Sequence, residues 1–120
     1  MTNSYEVGAS DERPWGRWTV LDVGDGFAVK RIEVHGGHRL SLQRHRHRAE
    51  DWILVQGEAV VRVGEEEMHL KAPARVHIPV GSLHQIANPG TTTLVFIEVQ
   101  TGPVLDEADI ERISDDYGRA

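Results

Sequence analysis

Residues 37–57 read Gly37-His-Arg-Leu-Ser-Leu-Gln43-Arg-His45-Arg-His47-Arg48-Ala-Glu50-Asp-Trp52-Ile-Leu54-Val-Gln-Gly57. In an extended strand alternate side chains share a face, so Gln43, His45 and His47 can point one way while Arg44 and Arg46 point the other. After a short turn Glu50 opens a second strand, with Trp52 and Leu54 as its same-face neighbours. A carboxylate is thereby placed at the edge of an apolar interior. Unpaired it would be costly there, and a metal ion or a hydrogen-bonded cation is the usual remedy.

The same texture extends to both sides. From Arg13 onward, short runs rich in Val, Ile, Leu and Trp are separated by turn signals at Asp22–Gly26, His35–Gly37, Gly64–Glu67, Pro73, Pro79–Gly81 and Asn88–Gly90. Strands are expected near 15–22, 26–34, 39–44, 50–56, 58–63, 67–71, 75–78, 84–87 and 92–100, with no helix-period segment among them. About nine short strands at this spacing predict an all-β sandwich or barrel, most economically a small jelly roll over residues 13–105. Residues 1–12 are polar and aperiodic, and are expected to form a loose N-terminal arm or a strand borrowed by a partner subunit. In 106–120 the pattern changes: Leu105, Ile110 and Ile113 recur near helical spacing and Asp106 stands as a candidate cap, which predicts a short C-terminal helix.

A chain of 120 residues, 39% hydrophobic, has room for one core and not two. Its 13 Lys+Arg against 19 Asp+Glu leave a formal charge of −6, so no general basic footprint for nucleic acid or an anionic membrane exists, and neither is expected as a partner. The charge is uneven. The tail 106–119 is strongly acidic, whereas 37–50 sets Arg39, Arg44, Arg46 and Arg48 against Glu50 alone, a local field that tolerates an anionic small molecule. The absence of cysteine excludes disulfides, thiolate zinc sites and thiol nucleophiles, leaving His, Asp, Glu and Gln as metal ligands. No stretch approaches the roughly 20 apolar residues of a membrane span, and a soluble cytoplasmic protein is expected.

A second cluster, Pro79-Val-Gly81-Ser-Leu-His84-Gln-Ile-Ala-Asn88, places one more histidine after a turn that Pro and Gly shape. A barrel that closed the two segments together would gather His45, His84, Glu50 and the amide oxygen of Gln43. Such a set suits one divalent ion, such as Zn, Mn, Fe, Ni or Co, with positions left open for substrate. His47 competes with Gln43 for its place and otherwise faces the substrate. His35, His38, His69 and His77 fit ordinary hydrogen-bonded histidines.

Gly37 to Gly57 (G-x5-Q-x-H-x4-E-x6-G) and Pro79 to Asn88 (P-x-G-x2-H-x3-N) resemble the two motifs of the cupins, with Gln43 where most cupins have their first histidine. The strings RPWG (13–16), LSLQRHRHRAEDW (40–52), IEVQTG (97–102) and DIERISDDYGR (109–119) resemble the type II phosphomannose isomerase domain over roughly residues 13–119. The resemblance implies a cupin-type double-stranded β-helix holding one divalent metal on Gln43, His45, Glu50 and His84. It further implies interconversion of mannose 6-phosphate and fructose 6-phosphate, and a homodimer. The family often joins this domain to an N-terminal mannose-1-phosphate guanylyltransferase, which is missing from these 120 residues, so no nucleotide chemistry is assigned to them. Two positions depart from the family: Gln85, where arginine frequently follows the ligand histidine, and His35-Gly36, where a proline-glycine turn is common.

Isomerisation needs a group to carry a proton between C1 and C2. Glu98 shares a strand face with Leu94, Phe96 and Gln100; if that face is inward, Glu98 is the candidate, and if Val95, Ile97 and Val99 face the core, it is solvated. Lys30 shares a face with Ile32 and Val34, so its ammonium would enter the barrel to bind an oxyanion or phosphate, unless its stem snorkels from an edge position. Arg48 is the first candidate for the substrate phosphate, with His47 beside it. The competing functions are another metal-dependent cupin enzyme, such as an Fe(II) oxygenase, and a non-catalytic sugar- or metabolite-binding module.

Overall fold

The computed structural model describes residues 2–116, which form thirteen strands. These are β1 (Thr2–Asn3), β2 (Ser10–Arg13), β3 (Gly16–Gly24), β4 (Phe27–Val34), β5 (Leu42–Arg44), β6 (Ala49–Gln56), β7 (Glu58–Val63), β8 (Glu66–Lys71), β9 (Ala74–Ile78), β10 (His84–Ala87), β11 (Leu94–Thr101), β12 (Val104–Leu105) and β13 (Glu111–Ser114). One antiparallel sheet has six strands in the order β2-β3-β4-β11-β6-β9, and a second has five in the order β13-β5-β10-β7-β8; β1 and β12 pair in parallel. Among the described residues no helix is long and apolar enough to cross a membrane, which says nothing of strands.

Period-2 alternation decides what lies inside. On β4, Ala28, Lys30, Ile32 and Val34 are buried, and on β11, Leu94, Phe96, Glu98 and Gln100 are buried on the same face, with Val95 also buried at a register shift. The larger sheet contributes Ile32, Val34, Trp52, Leu54, Val76, Ile78, Leu94 and Phe96 to the core, and the smaller sheet contributes Ala59, Val61 and Ile86. Each such side chain is worth about 1.5–3 kcal/mol of transfer energy when fully buried. Farther along the same strands the inward residues turn polar: Lys30 on β4, Glu98 and Gln100 on β11, Glu50 on β6. The barrel thus has an apolar half and a polar half. Gly57, between β6 and β7, has φ +89° and would bring a Cβ to 3.2 Å from the Leu94 backbone, so the turn that closes the first sequence motif favours glycine.

All nine expected strands form, and the two terminal segments differ from expectation. The C-terminal helix is replaced by β12, a turn and β13, which pairs antiparallel with β5. The apolar spacing misled because its members do not share a face: Leu105 is fully buried in a second cluster with Tyr5, Val20 and Ala28, whereas Ile113 is half exposed. Asp106 caps a turn, its carboxylate accepting from the Ala108 N–H at 2.9 Å and its carbonyl from the Asp109 N–H at 3.0 Å. Residues 117–120 of the expected helical tail lie outside the described residues. Nor do residues 2–13 form a loose arm. β2 pairs with β3, the Asn3 amide donates to the Gly24 and Phe27 carbonyls, and Tyr5 is buried.

Leu105→Ala should cost about 2–5 kcal/mol of unfolding free energy, as expected of a fully buried leucine, whereas Ile113→Ala should stay within about 0.5 kcal/mol of wild type. Urea denaturation of both variants checks the placement of the C-terminal segment, and equal effects would contradict it.

Candidate metal and substrate site

Strand pairing brings the two sequence motifs together. His84 on β10 stands opposite Gln43 on β5, and the Gly81 N–H donates to the His45 carbonyl at 2.9 Å. His45 and His84 are buried with ring centroids 5.1 Å apart. Glu50 reaches them from β6, with His45 Nε2 3.3 Å from Oε2 and His84 Nε2 3.8 Å from Oε1. One ligand atom from each of the three lies within 4.8 Å of the others.

Both imidazoles are held in one tautomer. His45 Nδ1 lies 2.5 Å from the Asp109 carbonyl and His84 Nδ1 3.0 Å from the Ser82 carbonyl, so each Nδ1 carries its hydrogen and each Nε2 lone pair turns toward Glu50. His84 Nε2 is buried with no hydrogen-bond partner. A buried acceptor without a donor is uncommon, and here it faces a carboxylate, which cannot donate when ionised. A divalent cation would satisfy both, so His45, Glu50 and His84 fit a metal ion. Gln43 lines the same cavity, its amide oxygen accepting from Ser41 Oγ at 3.1 Å.

Arg48 is not a free fork at the entrance. Its Nε donates to Glu50 Oε2 at 2.9 Å, Nη1 donates to the Tyr5 hydroxyl at 3.2 Å and the Asp106 carbonyl at 3.3 Å, and Nη2 lies 3.3 Å from His45 Nε2. Trp52 Nε1 also donates to Glu50, at 3.1 Å. Burial alone would raise the Glu50 pKa, but the Arg48 guanidinium and then the imidazoles outweigh it and hold the carboxyl at about 2. Burial pushes His45 down to about 4 and also lowers His84, so both rings are neutral and able to bind a metal at neutral pH.

Glu98 and Lys30 both point inward, opposite each other across β4 and β11. Burial, then the Glu50 carboxylate, push Glu98 up to about 8 against the pull of Lys30 and Arg48, and Gln100 Nε2 donates to it at 2.5 Å. Lys30 is only 2% exposed, and Nζ donates to Glu107, which enters from the turn after β12. Nζ also stands 4.1 Å and 4.4 Å from the ring centroids of Tyr5 and Trp18. Lys30, Glu98, Glu107 and Trp18, with Gln43, His45, Arg48 and Glu50, line a cavity of about 60 Å³ whose wall also includes Arg13, Trp15, Leu40, Ile110 and Arg112.

His47 is not brought into this set. It is exposed and lies on the outer side of the 106–111 segment, because the Asp109 carboxylate clasps the Arg46 and His47 N–H groups and turns the chain there. Gln85 points away from the cavity and donates to the Leu40 carbonyl. The sequence reading missed Tyr5 and Glu107. Tyr5 carried a signal, as the only aromatic residue in the polar first dozen, while Glu107 was hidden among the other acids of the tail.

Two antiparallel sheets around a buried histidine–carboxylate set define a cupin, and the solved cupin domain of Cnp3 from Schizosaccharomyces pombe superposes with a TM-score of 0.69, at 18% identity over 72% of this chain and 64% of that one. The family model described as Mannose-6-phosphate isomerase C-terminal matches residues 2–115, and the chain belongs to that family. It is 50% identical over 107 residues to the Alginate biosynthesis protein AlgA of Pseudomonas aeruginosa, covering 89% of this chain and 22% of that protein. It is 44% identical to the Mannose-1-phosphate guanylyltransferase of Escherichia coli, again over 89% and 22%. The chain therefore spans about a fifth of the length of the curated relatives it matches.

A divalent ion at about 100 times its dissociation constant should stabilise the protein by about 2.7 kcal/mol in thermal or urea unfolding. His84→Ala and Glu50→Gln should lose that shift; a wild-type protein indifferent to Zn, Mn, Fe, Ni and Co would refute the assignment. In chelator-treated protein, Glu98 keeps its proton in the folded state up to about pH 8 and loses it near 4.5 when unfolded. The folded state then binds more protons across that window, so Glu98 makes stability fall as pH rises through it. Glu98→Gln should remove this loss, gaining stability relative to wild type between pH 5 and 8 in urea titrations.

Proposed function

We propose that this chain is a metal-dependent aldose–ketose isomerase interconverting mannose 6-phosphate and fructose 6-phosphate. The observation that carries the reading is one cavity lined by His45, Glu50 and a buried carboxyl, Glu98, poised to titrate near neutrality, with His84 completing the histidine–carboxylate set beside Glu50. Family membership supports the reaction class, and the similar Escherichia coli protein is a mannose-1-phosphate guanylyltransferase.

The reaction moves a proton from C2 of the aldose to C1 of the ketose, with a second proton passing between the two oxygens. Glu98 as carboxylate would take the carbon-bound proton and, as acid, return it at the neighbouring carbon; a group titrating near the working pH suits both halves. Gln100 keeps the Glu98 carboxyl oriented, and Lys30 supplies positive charge for the anionic substrate. Arg48 and Trp52 hold Glu50 ionised and fixed, the state a ligand carboxylate requires. When bound, a divalent ion on His45, Glu50 and His84, with Gln43 as a fourth donor, would supply the electrophile that polarises the sugar oxygens.

The test is turnover by the purified metal-loaded chain. Interconversion should be accompanied by solvent deuterium entering at C1 or C2. Glu98→Gln should lower kcat by about 10²–10⁴-fold with KM within about threefold of wild type. Absence of turnover, or full activity in Glu98→Gln, would overturn the reading, and sugar binding without turnover would identify a binding module instead.

A further inference from the structure

The cavity is narrowed by the chain itself. At about 60 Å³ it holds a few water molecules, whereas small-molecule sites run to roughly 300–1,000 Å³. Part of its wall is the segment after β12, through Glu107 and Ile110. Glu107 reaches inward, so that one carboxylate oxygen accepts from both Lys30 Nζ and the Tyr5 hydroxyl, the latter at 3.1 Å. Tyr5 in turn accepts from Arg48 Nη1 at 3.2 Å. Two donors, from β4 and from the segment after β1, thus converge on one acidic group, and Arg48 from the segment before β6 backs them through the Tyr5 oxygen.

The donors and the acceptor differ in how firmly they are held. Lys30 is 2% and Arg48 4% exposed, and Tyr5 is buried in the second apolar cluster. The Glu107 side chain is 37% exposed and rides on a turn rather than in a sheet. The neighbouring residues hold that turn at the surface through Asp109 to the Arg46 and His47 N–H groups and Glu111 to Arg44 and Arg46, and on its inner side through two backbone carbonyls, Asp109 to His45 and Asp106 to Arg48. Polar contacts at a surface exchange for water at little cost, whereas a buried ammonium must keep an anion.

We infer that Lys30, Tyr5 and Arg48 form an oxyanion-binding site which Glu107 occupies as an internal carboxylate, and that a phosphate-bearing ligand enters by displacing Glu107 together with the 106–111 turn. The ligand's phosphate oxygens would take over the Lys30 and Tyr5 donors, and withdrawal of the turn would open the cavity to the rest of the molecule. The choice of a phosphate rests on the proposed sugar-phosphate reading, while the displacement does not need turnover or a metal.

Calorimetric titration of the chelator-treated 120-residue chain with inorganic phosphate separates the two ideas, because it involves no isomerisation. Glu107→Gln should bind phosphate at least about tenfold more tightly than wild type, and adding Lys30→Met or Tyr5→Phe to it should abolish that gain. The amides of Ala108, Asp109 and Ile110, hydrogen-bonded within the turn, should exchange faster with deuterium when wild-type protein is saturated with phosphate. Unchanged phosphate affinity in Glu107→Gln, a gain that survives both second substitutions, or unaltered amide exchange would each overturn the inference and leave Glu107–Lys30 as a fixed structural pair.

Discussion

Glu50 carries its charge inside the barrel at 1% exposure, and most of the polar architecture answers to that one fact. An ionised carboxylate in such a place survives only if donors surround it. Arg48 and Trp52 supply them directly, while the two imidazoles turn Nε2 lone pairs toward it and leave a place for a cation. Arg48 then links Glu50 outward, through the Tyr5 hydroxyl to the N-terminal segment and through the Asp106 carbonyl to the C-terminal one. The two ends of the chain, neither of which shows a strong pattern of its own, are thereby tied to the centre.

The uneven charge of the chain has a structural meaning that differs from its first appearance. The arginine-rich stretch 37–48 is not a free positive field, because the acidic tail folds back on it: Arg39 bonds Asp116, and Arg44 and Arg46 meet Glu111. On a surface these pairs are each worth little, and together they position the strap that covers the cavity. Inside, Lys30 and Arg48 stand against Glu50 and Glu107, with Glu98 held protonated at neutral pH, so the two cations and two carboxylates balance.

Much of this was legible in the order of residues. The nine central strands follow from alternation and turn residues. The inward direction of Lys30 and Glu98 follows from their apolar neighbours two residues away, Ile32 and Val34 in one case, Leu94 and Phe96 in the other. His45, Glu50 and His84 follow from motif spacing. Leu105, Ile110 and Ile113 show the limit of the method, since three apolar residues at loose helical spacing are compatible with a strand, a turn and another strand.

Periodicity is a local property, carried by which face each side chain takes, and it is written along the chain; hence the β architecture, the polar half of the interior and the donor set follow from the residue order. Partnership between distant segments is not local. That Arg48 turns toward Glu50, that His47 is carried outside, that Tyr5 and Glu107 meet Lys30 across 25 and 77 residues of chain, and that the tail lies down as a strand beside β5, depended on how the sheets close and which surfaces then face each other. Only burial in the finished barrel makes those contacts worth more than the contacts each residue could make with water.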